Sequence, residues 1–577
     1  MRLSGYCRLL AGFLLASLSV FGQAQSQDQV RQQHVGRVLD WSYHHVVLSG
    51  GLPAADLKRA KAEPRILFHL AERNLPQATA NAGRQKFDRE GRRPGRPLRP
   101  RASMKIDWSI PLGTGVVAAN MFPAKYGFDV NATPNCANDF VVFALNVAGT
   151  TGGQANLVGL NQLYRGTGGL CGTGSARVNW AYNGSTAGGK VLTSPVISLD
   201  GTKIAYVESA AASTVFHVLT WVAGQGTSST ASAAPTVNGA CSAGTTSCLK
   251  SVTLSATATN TLSSPWVDYQ TDKAFIGTND GKIYRISCVF SCALNSNPTI
   301  DWAYTLPVAG SGGASAAPNG PVYDYPSGRL FVGDQLGELW VINASTATPT
   351  LNAGPVMIGG GGCTVAHPPG RTGTGADCAA SGGSFGIRDS VIMDCSGVSQ
   401  RIFAFSGNDG TAGASATLAQ LKFDLTGLVR VHIGLGGVGN TTTNVDIHTG
   451  IFDNNYFGAS PTTGHLFSCG TGPNDTSAYF YWIGFTSYPT MNSATTGSIA
   501  RGTSAGNPCT PLTEIFNPNV NLNNVSNPVI HDIVISGVVG AGADGVLRSD
   551  DITSGTITGT LSGVNYPGGL AASSSIT

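Results

Sequence analysis

Ser264-Pro265-Trp266-Val267-Asp268 leads through a turn to Lys273-Ala274-Phe275-Ile276-Gly277 and on to Asp280-Gly281-Lys282-Ile283-Tyr284-Arg285-Ile286. The phrase returns as Gly320-Pro321-Val322-Tyr323-Asp324, Arg329-Leu330-Phe331-Val332-Gly333 and Leu336-Gly337-Glu338-Leu339-Trp340-Val341-Ile342. Each copy is a set of short apolar runs of strand length, divided by turns that carry Gly and Asp, so each reads as consecutive antiparallel strands. Such a unit repeated down one chain is the signature of a β-propeller.

Two looser copies flank these. One is Ser194-Pro195-Val196-Ile197 with Lys203-Ile204-Ala205-Tyr206-Val207, the other Asp389-Ser390-Val391-Ile392-Met393-Asp394 with Arg401-Ile402-Phe403-Ala404-Phe405. The anchors Pro195, Pro265, Pro321 and Ser390 lie 70, 56 and 69 residues apart, longer than the roughly 40–50 residues of an ordinary blade. The blades are therefore expected to carry long loops. One unit precedes Pro195 (139–145 and 155–164), and two follow Ser390, around 464–485 and 513–552. The expected fold is all-β, a propeller of about seven blades, with six to eight open. Residues 559–577 are rich in Gly and Ser, so closure is expected either to borrow strands from the N-terminal arm or to leave the last blade incomplete.

Of the 577 residues only 12% are charged, against a usual fraction of about 25%, and 76 are Gly. Uncharged polar side chains must supply most of the solubility, as suits an exported protein of many turns. Arg2 and Arg8 precede an apolar run from Leu9 to Phe21, and Gly22-Gln23-Ala24 offers small residues for cleavage. Residues 1–24 read as a signal peptide, because the run is shorter than the roughly 20 residues a bilayer span needs. A secreted or periplasmic location without a transmembrane anchor is expected.

Cysteine usage points the same way. Cys136 with Cys171, Cys241 with Cys248, Cys288 with Cys292, Cys363 with Cys378 and Cys469 with Cys509 are candidate disulfides, leaving Cys395 over.

Charge divides the chain. Residues 27–101 hold 15 Lys/Arg against 7 Asp/Glu, whereas residues 102–577 hold 18 against 25. Residues 25–103 are read as a basic arm and 104–577 as the propeller. Within the arm, residues 54–74 have helical spacing that Pro64 divides into two short helices. Residues 84–101, with Arg92-Arg93-Pro94-Gly95-Arg96, read as a disordered linker. The arginines lack interleaved aromatics apart from Phe87, so nucleic acid is not the expected partner.

A Trp phrase also recurs: Ile106-Asp107-Trp108, Val178-Asn179-Trp180-Ala181-Tyr182, Ile300-Asp301-Trp302-Ala303-Tyr304 and, within the arm, Leu39-Asp40-Trp41-Ser42-Tyr43. A Gly-x-aromatic strand followed through a loop by a strand bearing Trp resembles the repeat of pyrroloquinoline-quinone (PQQ)-type, quinoprotein-like propellers. Exported bacterial propeller proteins carry a similar phrase. The resemblance implies a Trp packed between neighbouring blades. It does not extend to the quinone: no adjacent cysteine pair and no Cys-x-x-Cys-His signal occurs in the chain. No cofactor is therefore expected, neither PQQ with calcium nor a haem.

Candidate polar residues are few. Asp268, Asp324 and Asp394 follow equivalent strands and could converge on the channel as cation ligands, but the reading preferred is that each fixes a turn. Asp446, His448 and Asp453 form the richest polar cluster, with general acid/base or metal ligation set against a loop network. His44 and His45 are adjacent, which in a strand would point them to opposite faces. Ser384 and Ser504 each sit in a Gly-x-Ser-x-Gly match without the strand–helix context of a nucleophile elbow. The expected function is binding or scaffolding at the cell envelope or outside it, with a protein or glycan partner. The alternative is a quinone-dependent oxidoreductase or a polysaccharide-active propeller enzyme.

Overall fold

The computed structural model describes residues 38–50, 63–69 and 108–565, the last with internal gaps of which the longest are 308–316, 359–385, 436–446 and 518–530. Seven sheets of four to six strands succeed one another along the chain and form a propeller ring. Blade 3 shows how the quoted phrase folds. Trp266–Asp268, Lys273–Thr278, Lys282–Ser287 and Thr299–Thr305 pair antiparallel in chain order. Its first strand is fully buried and its last largely exposed, so the chain runs from the channel outward. Gly281 makes the tight turn between the second and third strands at φ +78°, and Gly337 repeats it in blade 4 at φ +86°, a conformation that a Cβ disfavours.

Pro195, Pro265, Pro321 and Ser390 each stand just before the innermost strand of blades 2 to 5 (Val196–Ile197, Trp266–Asp268, Val322–Asp324 and Ile392–Asp394). Blade 1 is built on Phe140–Ala144 and Leu157–Asn161, and blade 6 on His465–Thr471 and Ala478–Gly484. Blade 7 is a complete four-stranded sheet from Thr513–Asn517 to Thr560–Asn565. The Gly/Ser-rich end thus supplies the outer strand, and neither expected route of closure applies. An outermost strand is held by backbone bonds to one neighbour, so few large apolar side chains are required of it.

The arm strands go elsewhere. Val38–Leu39 pairs with Ala124–Tyr126 on the inner side of blade 1, while Val46–Val47 pairs parallel with Met393 and Asp394 on the inner side of blade 5. Residues 38–50 therefore cross the central channel as a strut. Part of the segment read as a basic arm thus pairs with the inner strands of blades 1 and 5. The linker 84–101 lies outside the described residues. Helical residues 64–69 lie against the strut, with Glu63 capping the helix through the Arg65 amide at 3.1 Å and Pro64 in its first turn, where no N–H is needed.

Strut and helix stitch together clusters that the blades form separately. Trp41, Val46, Leu48 and Ile66 join the largest cluster, Val38, Tyr43 and Phe68 a second, and Val47 a third. Gly320 leaves the room that Trp41 needs: a Cβ there would lie 3.0 Å from the indole and 2.6 Å from Ser390 Oγ.

The structure joins Cys136–Cys171, Cys241–Cys248, Cys288–Cys292 and Cys469–Cys509 as disulfides, with Cα separations of 5.1–5.9 Å. Cys363 and Cys378 lie outside the described residues, and Cys395 is a buried thiol at the end of an inner strand.

Candidate functional site

The centre of a propeller is where loops and inner strands converge, and here the chain fills its own centre. Asp40 caps the short 3₁₀ helix Trp41–His45 by accepting the Ser42 N–H at 2.9 Å. The Trp41 indole donates to the Pro265 carbonyl at 3.0 Å and meets Trp266 edge-on at 5.8 Å. Arg65 then locks helix to strut and strut to blade 3. Its guanidinium donates to Ser42 Oγ at 2.6 Å, to the Val267 carbonyl at 3.0 Å and to Glu63 at 2.8 Å, and lies 4.0 Å over the Trp266 ring. A planar cation can stack and donate in its own plane at once, which suits arginine to this position. Burial pushes the Glu63 carboxyl up from its ordinary value, and Arg65 only partly opposes it.

On the far side, His45 Nδ1 lies 3.0 Å from the Val391 carbonyl, which can only accept, so that nitrogen carries the proton. Its Nε2 faces Asp389 at 3.9 Å, and His448 Nδ1 faces the other Asp389 oxygen at 3.9 Å. Asp389 also takes the amides of Ser390 at 2.8 Å and Thr449 at 3.2 Å. Burial pushes His45 down, with Asp389 opposing, and pushes His44 down to about 3 with the aid of His45.

The polar cluster expected around residue 450 therefore divides. His448 turns to Asp389, Asp446 lies outside the described residues, and Asp453 belongs to another network. Asp453 accepts the amides of Tyr456 and His465 at 3.0 Å each and faces His465 Nδ1 at 3.2 Å. Each of the three inner-strand carboxylates is already taken up by protein donors. Asp268 accepts the Gln270 amide at 3.0 Å and the Thr271 hydroxyl, and Asp324 accepts the Ser327 amide at 3.2 Å, both as turn braces. Asp394 accepts Ser49 and Ser396 amides and the Tyr456 hydroxyl, the last at 2.7 Å, so it fastens the end of the strut. Among the described residues no group of three or more His, Cys, Asp or Glu is arranged to hold a metal. The Ser504 amide binds Asp544 at 2.9 Å within a loop, and Ser384 lies outside the described residues.

The Trp phrase also divides. Trp180 and Trp302 sit on the outermost strands of blades 1 and 3, whereas Trp41 is in the channel. Trp180 packs 6.0 Å from Trp221 in a cluster shared by blades 1 and 2. A cleft between blades 2 and 3, lined by Lys203, Lys250, Cys288 and Cys292, has about 10 Å³ of free space, enough for one water.

No family model and no curated protein matches the chain. Solved propellers do. Sqt1 of Chaetomium thermophilum bound to the N-terminus of ribosomal protein L10 is 12% identical over 74% of this chain and 85% of its own, with a TM-score of 0.38. The Dos1 propeller is 13% identical over 74% and 82%, with a TM-score of 0.38. BamB from Moraxella catarrhalis is 13% identical over 68% and 81%, with a TM-score of 0.33. Scores this low carry no argument beyond the seven sheets themselves.

Proposed function

We propose that this propeller is a binding or scaffolding module at the cell envelope or outside the cell, which holds a protein or glycan on the loop-bearing faces of its ring. The observation that carries this reading is the filled channel. Trp41, Tyr43, Arg65 and His69 occupy the space in which a propeller enzyme would seat a cofactor or substrate, with Tyr43 stacked on His69 at 4.1 Å. A ring braced across its middle resists deformation and presents its loops in fixed positions, which lowers the ordering cost of binding. The four disulfides support an oxidising compartment. Among the described residues no helix is long and apolar enough to cross a membrane.

A thermal-shift screen of the oxidised chain against Ca²⁺, PQQ with Ca²⁺, and a panel of envelope glycans tests the reading. A ligand at about 100 times its Kd adds about 2.7 kcal/mol to the native state, enough to move the melt. A glycan-dependent shift supports the proposal, and crosslinking to an envelope protein supports its other form. A shift that needs PQQ overturns it in favour of an oxidoreductase.

A further inference from the structure

Blade 2 holds a chain of three side chains that the binding reading does not use. His217 stands on Ser213–Thr220, between Lys203–Ala210, which carries Glu208, and Cys248–Ser255, which carries Ser251. His217 and Ser251 are direct cross-strand partners, so their side chains share one face. His217 Nε2 lies 2.8 Å from Glu208 Oε2, and its Nδ1 lies 2.7 Å from Ser251 Oγ. Glu208 is held in turn by the amides of Thr186 at 2.8 Å, Ala187 at 3.0 Å and Gly189 at 2.7 Å.

The roles follow from donor chemistry. A carboxylate can only accept, so in the neutral ring the proton resides on Nε2 and Nδ1 offers its lone pair to the Ser251 hydroxyl. A carboxylate fixed by three amides therefore orients an imidazole that is already hydrogen-bonded to a serine. Glu208 and His217 are fully buried, whereas Ser251 is half-buried and its neighbours Thr253 and Asn238 are exposed. Asn238 Oδ1 accepts the Ser251 amide at 2.9 Å, which sets a carboxamide, with its N–H donors, beside the serine.

We propose that Ser251 is an activated nucleophile that cleaves short-chain carboxylic esters, with His217 as its base, Glu208 as the positioning residue and Asn238 as the donor to the developing oxyanion. Ser251 Oγ adds to the ester carbonyl carbon while its proton passes to His217 Nδ1. The tetrahedral adduct collapses by breaking the bond to the alcohol oxygen, and the alcohol leaves with that proton. Water then adds to the acyl-serine, giving a proton to Nδ1, and the acid departs as Ser251 recovers its hydrogen. The exposed surface at Thr253 and Asn238 leaves room for the alcohol side of the ester.

The test uses the native full-length chain, a fluorophosphonate probe with peptide mapping, and p-nitrophenyl acetate. The expected result is a label on Ser251, lost on unfolding, and ester hydrolysis that falls at least tenfold in Ser251→Ala. Ser251→Cys should alkylate with iodoacetamide faster than a cysteine placed at Thr253 by Thr253→Cys. No label on Ser251 in the native chain, or equal hydrolysis by native protein and Ser251→Ala, overturns the proposal and leaves the three residues a structural brace. Neither outcome touches the glycan and protein screen.

Discussion

Two fully buried carboxylates, Asp394 in the channel and Glu208 in blade 2, are held in opposite ways. Asp394 receives amides and hydroxyls only, and burial leaves its carboxyl raised above the ordinary value despite them. Burial opposes the charge on Glu208 too, but the hydrogen bond from His217 and the amides of Thr186 and Gly189 hold it down at about 2. At Asp394 neutral donors soften the loss of water without offsetting it, whereas at Glu208 the imidazole and the backbone amides together outweigh it. The channel thus raises the carboxyls of Asp394 and Glu63, whereas blade 2 holds that of Glu208 down for a reason local to His217.

The largest effect should come from removing the cation that the channel does hold. Arg65→Met strands Glu63 without its partner and should cost about 3–5 kcal/mol in urea unfolding, while adding Glu63→Leu should recover most of it. A single-mutant cost below about 1 kcal/mol would mean that the strut is not braced as described.

Glu208→Gln should cost about 3 kcal/mol at pH 7, the worth of a carboxyl lowered from 4.5 to about 2. Because the folded value is depressed, that difference is constant above about pH 4.5 and shrinks as pH falls towards 2. Asp394→Asn should cost least, about 1 kcal/mol or under at pH 7, because the folded state already disfavours the charge. Its pH dependence has the other sign. The raised folded value makes wild type gain on the Asn variant as pH falls towards the ordinary value of 3.8. Denaturant midpoints of the three proteins between pH 3 and 7 would show the two differences diverging. Parallel curves would remove the contrast between channel and blade.

The blades were legible because their information is local. Trp266, Phe275 and Tyr284 lie within twenty residues and share one sheet, and the turns at Gly281 and Gly337 advertise themselves. Cys288 and Cys292 could hardly miss each other at a separation of 4. The polar sites were not legible. Nothing in the neighbourhood of residue 389 announces that His45 and His448 will face it, and Glu208, His217 and Ser251 carry no motif. The Trp41 copy of the repeated phrase was visible, but its surroundings suggested an arm.

The sequence by itself determined the blade unit, its repetition and the short-range disulfides, because strand pairing and turn chemistry act between residues close along the chain. Only the tertiary structure decided what fills the channel. The Trp41 bond to Pro265 spans 224 residues and the Ser49 bond to Asp394 spans 345. Contacts of that span leave no period in the sequence, and they form only where a closed ring brings its inner strands around a common axis.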